Sequence, residues 1–160
     1  MGRGFRTSKA LIKKQIKIVE WRSLTVILLL LGGIMRIAVF GSKNWSSYNE
    51  IIRQISIMIQ DWVFDHPEDK KFVFVHTGIP GAENMITEYI GKTEVFLRQK
   101  GYSIKEEIVR GNKSAPQLND INIIERGADL ALIFTTNGCK RTTTCLSLVK
   151  EYGIPFKLIN

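Results

Sequence analysis

Residues 35–160 are predicted to form an α/β domain of three layers, α/β/α, around a mainly parallel five-stranded sheet. Three observations lead there. Short apolar runs of strand length alternate with longer stretches of helical spacing. Two of those runs, Phe72–Val75 and Leu130–Phe134, are apolar throughout, as strands covered on both faces are. Glycines at 101, 127 and 153 stand just after three helical stretches, where a left-handed residue closes a helix.

The first strand is Met35–Gly41, apolar across Ile37–Phe40. Tyr48–Phe64 has helical spacing, with Ile51, Ile52, Ile55, Ile59 and Trp62–Val63 on one side. His66-Pro67-Glu68-Asp69 ends it, because proline supplies no N–H and clashes with the preceding turn. Phe72–Val75 is the second strand. Gly81–Lys100 is a helix, with Met85, Tyr89, Val95 and Phe96 available to the core. Tyr102–Val109 has more mixed polarity, which suits a strand near an edge. After the loop Arg110–Ala115, Pro116 opens a short helix to Arg126 with Leu118, Ile121 and Ile124 inward. Ala128–Phe134 is the fourth strand, Arg141–Tyr152 the last helix, and Ile154–Ile159 the last strand. The order is βαβαβαβαβ, which right-handed crossovers wind into a sheet covered on both sides. No internal repeat, low-complexity tract or second domain is visible.

Residues 1–34 read differently. The chain carries a net charge of +8, a balance that suggests nucleic acid. Seven basic residues and one acid lie in 1–34, leaving 16 of 23 basic and 14 of 15 acidic residues, net +2, in 35–160. The domain is therefore close to neutral, and a nucleic-acid partner is not expected. The uncharged run Leu24–Met35 follows the basic stretch like the core of a signal peptide. No small-x-small cleavage site follows, and its 12 residues fall short of the roughly 20 that span a bilayer. Two expectations result. Either the domain starts at Met35, 1–34 is a mis-assigned start and the protein is cytoplasmic, or 24–40 associates with a membrane. The second would cost the domain its first strand. Cys139 and Cys145 share one segment without metal or disulfide spacing, so no zinc site is expected and reduced thiols suit the cytoplasm.

Three strand-to-helix loops carry the candidate chemistry: Gly41–Ser47, His76–Glu83 and Thr135–Thr144. Each ends at a helix start, where free N–H groups and the helix dipole favour an anion. Neither GxxxxGK[ST] nor GxGxxG is present, and glycine with hydroxyl residues also makes ordinary turns and caps. The candidate ligand-binding residues are Gly41, Ser42, Trp45, His76, Gly78, Gly81, Glu83, Gly138, Arg141 and Thr142. His76 is either satisfied in the core or a ligand contact and proton donor. Trp45 either stacks on a base or anchors its loop. Glu83 suits a helix start and also a ribose hydroxyl. Lys140 and Arg141 either pair with phosphate or are solvated. Cys145 falls in a helix and suits the core. His76 and Glu83 are weak catalytic candidates, and no catalytic set follows from spacing.

The pattern Gly-Ser-x-x-Trp at Gly41–Trp45, then His-x-Gly-x-x-Gly-Ala-Glu at His76–Glu83, resembles the YspA-like branch of the SLOG superfamily. Ala-Asp-Leu-x-Leu-x-Phe at Ala128–Phe134 and Gly-Ile-Pro at Gly153–Pro155 add to it. The resemblance covers 35–160 and none of 1–34. It implies a Rossmann-like fold that binds a nucleotide or nucleotide-derived signal, in signalling or in phage or bacterial nucleotide metabolism. It brings in Asn119, the match to an Arg-Asn pair of relatives, with Leu118 in the arginine's place. It implies phosphate at the Thr77–Glu83 and Asn137–Thr143 helix starts, with Gly41–Trp45 lining the base or ribose side. Two related branches imply alternatives: a nucleoside-phosphate glycosidase or hydrolase, and a single-stranded-DNA module. The glycosidase branch has Pro-Gly-Gly-x-Gly-Thr followed by Glu. This chain keeps Gly138 and Thr142, puts Arg141 in place of a glycine, and has no Glu between Thr142 and Lys150. The expected partner is thus a nucleotide-like small molecule, with no cofactor and no metal. Membrane contact is expected only through 1–34, and homo-oligomerisation is left open.

Overall fold

In the computed structural model, residues 33–111 and 114–160 are described. The elements are β1 (Ile34–Gly41), α1 (Tyr48–Asp65), β2 (Lys71–His76), α2 (Ala82–Gln99) and β3 (Ser103–Ile108). They continue with α3 (Pro116–Glu125), β4 (Leu130–Phe134), α4 (Lys140–Glu151) and β5 (Phe156–Ile159). All strand pairs are parallel, in the order β3-β2-β1-β4-β5. The fold is the expected Rossmann-like three-layer α/β/α arrangement, and the mixed-polarity β3 is indeed an edge strand.

Alternation along the strands sorts the core into two layers. Met35, Ile37 and Val39 of β1 face α1 and α2, packing with Ile51, Ile55, Ile86 and Tyr89. Ala38 and Phe40 face the other way, toward Ile123 and Ile124 of α3 and Cys145 and Val149 of α4. Four phenylalanines, Phe40, Phe72, Phe74 and Phe134, are fully buried, each worth about 1.5–3 kcal/mol of transfer free energy. Ser47 caps α1, its hydroxyl accepting the Glu50 N–H at 3.3 Å. Gly101, at φ +84°, closes α2 as its position after the helix suggested.

Several side chains expected inside are outside. Val95 and Phe96 are 64% and 60% exposed. The inward stripe of α2 runs through Ala82, Ile86, Tyr89 and Ile90 to Leu97, which leaves Val95 on the far side and Phe96 on the flank. Ile52 lies at the margin of the α1 stripe, 37% exposed. Leu118 is also exposed, because the buried positions of α3 are Asp120, Ile123 and Ile124. The inward face of α3 thus includes a buried carboxylate, and Leu118, two positions before it, turns outward.

Among the described residues, no helix is long and apolar enough to cross a membrane. The expectations for 1–32 lie outside the described residues. Of 24–40, Ile34–Phe40 lies within β1, which pairs with β2 and β4.

Candidate functional site

Strand order reverses between β1 and β4. The chain leaves β1 for β2 and β3 on one side, then returns to β4 and β5 on the other. Open α/β sheets hold ligands in the crevice that this reversal opens at the carboxyl ends of the strands. Here the crevice contains a cavity of about 220 Å³. Its walls are Gly41–Asn44 after β1 and Thr136–Cys139 after β4, with Arg141 from α4.

Ser42 ties the two walls together. Its N–H donates to the Phe134 carbonyl at 2.9 Å, and its hydroxyl bonds the Thr136 hydroxyl at 2.8 Å. The same Oγ accepts the Asn44 N–H at 3.2 Å, fixing the β1 loop. Behind the opposite wall and not lining the cavity, Thr142 is buried, donates to the Cys139 carbonyl at 3.0 Å and bonds the Thr135 hydroxyl at 2.6 Å. Gly138 is left-handed at φ +76°, and a Cβ there would meet nothing within 4 Å. It is an open, side-chain-free approach to the start of α4. The first turn of α4 holds no acidic residue, and its leading N–H groups precede the first helical bond, Thr143 N–H to the Cys139 carbonyl.

The start of α2 is different. Glu83 is fully buried, and its Oε2 accepts the Thr77 N–H at 2.9 Å and the Thr77 hydroxyl at 2.6 Å. The protein's own carboxylate therefore takes the Thr77 N–H and hydroxyl, two of the donors of the segment Thr77–Glu83 at which phosphate was expected. Gly81 serves packing rather than ligand approach. At φ +93°, its Cβ would fall 2.2 Å from the Ser42 carbonyl oxygen. Gly41 likewise admits Ala82, whose Cβ would lie 2.4 Å from one built on Gly41.

Arg141 joins all of this. Its Nη1 donates to the Gly41 carbonyl at 2.9 Å and to Glu83 Oε1 at 2.7 Å. Its Nε and Nη2 donate to Asp120 Oδ2 and Oδ1 at 3.2 and 2.7 Å. Burial pushes the guanidinium pKa down, but the Asp120 bonds and the charges of Glu83 and Asp120 carry it above its ordinary value. Asp120 was absent from the sequence-derived candidates. Its signal is positional: it lies three and four residues before the inward Ile123 and Ile124. The Cys145 thiol donates to Asp120 Oδ2 at 3.4 Å, and burial followed by the Asp120 charge pushes that thiol up.

The remaining candidates are built into the scaffold. His76 is fully buried. Gly78 N–H points at its Nδ1 at 3.0 Å, which puts the ring proton on Nε2, facing Glu106 Oε2 at 3.3 Å. Burial holds its pKa below the usual value, against the pull of Glu83 and Glu106. Gly78, at φ +73°, makes the turn that this bond needs. Trp45 is buried edge-on against Phe134 with centroids 5.3 Å apart, and its indole N–H donates to the Ser47 carbonyl. It anchors its loop. Asn119 lies against Gly111, whose Cβ would fall 1.6 Å from Asn119 Oδ1, and it is not a cavity-lining residue. Of the predicted set, the structure brings Gly41, Ser42, Gly138 and Arg141 to the cavity. It adds Cys139, which the sequence offered only as a free thiol. Burial raises that thiol's pKa, but the Thr142 hydroxyl and N–H, the Ser42 hydroxyl and the Arg141 N–H together bring it below the ordinary value.

The cavity thus offers hydroxyl, amide and backbone groups around a helix start whose Arg141 and Thr142 N–H groups face the Cys139 thiol and no carboxylate. Among the described residues, no group of three His, Cys, Asp or Glu is placed to hold a metal ion. No family model and no solved structure matches the chain. A curated relative is the Gene 61 protein of Mycobacterium phage D29, 24% identical over 125 residues, which are 75% of this chain and 92% of that protein.

Proposed function

We propose that the domain binds a nucleotide or nucleotide-derived ligand in the β1/β4 crevice. The ligand's anionic group lies at the α4 start, and its sugar lies along Ser42–Asn44. One observation carries this reading: a cavity at the strand-order reversal contains a helix start that no protein carboxylate fills. "Nucleotide" comes from the resemblance of the Gly41–Trp45 and His76–Glu83 motifs to SLOG proteins; the cavity's own chemistry supports an anion. Ligand sites usually enclose about 300–1,000 Å³, so this cavity takes a phosphate and a sugar and leaves a base at its rim. The glycosidase reading draws no support from His76 and Glu83, which are fully buried and bonded to protein groups.

Thermal unfolding of the full chain against AMP, ADP, ATP, NAD and adenosine tests the proposal. A ligand held only by the folded state raises the midpoint as its concentration rises, the gain in unfolding free energy being about 2.7 kcal/mol at a hundredfold excess over Kd. No shift with any compound of the panel rejects it.

A further inference from the structure

Arg141 lines the cavity, yet its charge is already matched. Four of its five N–H groups are spent on Gly41, Glu83 and Asp120. Two carboxylates face one guanidinium, and their side chains are 0% and 5% exposed. An incoming anion therefore finds little free positive charge on this side chain. What the guanidinium does is mechanical. It reaches from α4 to the carbonyl that precedes Ser42, and so spans the two walls of the cavity from below. Its other anchors belong to α2 and α3, so four segments meet at one planar group.

We propose that Arg141 is the positioning residue of this cavity: it sets the separation of the β1 loop and the α4 start, and thereby the affinity for an anionic group, without pairing with that group. The inference rests on the binding proposal for its ligand. The positioning itself is testable without one. Cys139 sits on the α4 side and Ser42 on the β1 side, and the Ser42 hydroxyl is one of the groups that acidify the Cys139 thiol. The thiol's reactivity therefore reports the separation of the walls. The chain's other cysteine, Cys145, is buried with its thiol pushed up and stays silent.

The experiment is the pH profile of iodoacetamide alkylation of the full chain, with AMP binding by calorimetry on the same samples. Arg141→Lys keeps the charge but loses the planar fork, so one ammonium cannot hold Gly41, Glu83 and Asp120 together. The expected result is a profile moved to higher pH, with the rate at pH 7 down about threefold or more. Ser42→Ala alone moves the profile in the same direction. Adding Arg141→Lys to it moves the profile little further, because both act through one hydroxyl. Asp120→Asn gives a smaller shift and covers the case in which Arg141→Lys does not fold. AMP affinity falls with the same variants. An unchanged alkylation profile in folded Arg141→Lys or in Asp120→Asn overturns the proposal. If the profile moves and AMP binds neither parent nor variant, the positioning stands and the nucleotide reading falls.

Discussion

Replacing Arg141 with methionine gives a large and specific effect on stability. The substitution keeps much of the side-chain volume and removes the guanidinium. Glu83 and Asp120, 0% and 5% exposed, are then left without their countercharge. Removing one partner of a buried ion pair costs about 3–5 kcal/mol, because the other charge remains desolvated. Glu83 keeps its two bonds from Thr77, which moderates its share. Asp120 keeps only the weak thiol donor of Cys145, so most of the loss arises there. The expected loss is about 3–5 kcal/mol at pH 7, a large part of the 5–15 kcal/mol that stabilises a typical domain. The pH dependence has a definite sign. Protonation removes the uncompensated charge, so the variant recovers ground on its parent as pH falls from 7 to 5. Urea unfolding monitored by tryptophan fluorescence at the two pH values measures both quantities. A loss below about 1 kcal/mol at pH 7, or a deficit that widens toward pH 5, would refute the assignment of a buried, mutually dependent charge cluster.

Other substitutions separate scaffold from site. His76 is buried, with a pKa below its ordinary 6.5. The unfolded chain therefore binds a proton that the folded one refuses, and stability is lost as pH falls below about 6.5, by at most about 1.4 kcal/mol per pH step; His76→Asn flattens that slope in urea titrations run from pH 7.5 to 5. Gly81→Ala costs roughly 2–4 kcal/mol, because a left-handed alanine also meets the Ser42 carbonyl oxygen. Gly138→Ala carries only the left-handed strain of about 1–2 kcal/mol, since the space beside it is open; a ligand that approaches there loses affinity by more than this small loss of stability explains. Trp45→Ala costs about 3–5 kcal/mol as a large-to-small core change, read by urea unfolding, and it weakens the ligand's thermal shift as well, because the indole anchors the loop that forms the β1 wall of the cavity.

Element order and type were legible in the sequence because they rest on local signals. The apolar runs at Phe72–Val75 and Leu130–Phe134 read as parallel strands, and the glycines at 101, 127 and 153 read as the ends of α2, α3 and α4. The errors came where polarity and burial part company. Leu118 was placed inside because it is apolar and close to helical spacing, yet the neighbouring inward position belongs to Asp120. Val95 and Phe96 failed for a related reason, since the stripe of α2 had to be set by Ile86, Tyr89 and Ile90.

Candidate loops were also legible, but the division of labour within them was not. Glycine and hydroxyl residues after three strands announced three equivalent helix starts. The sequence by itself determined that all three lie on one edge of the sheet, because a parallel α/β winding puts every strand-to-helix loop there. Only the tertiary structure decided which of the two predicted phosphate positions stays open. Glu83 turns back onto Thr77 and takes its N–H and hydroxyl, while the α4 start lies beside an open Gly138. The protein partners of Arg141 were decided the same way, as carboxylates 58 and 21 positions away. The physical reason is that a charge's role depends on which opposite charge reaches it and how much water is excluded there. Neither can be counted along the chain.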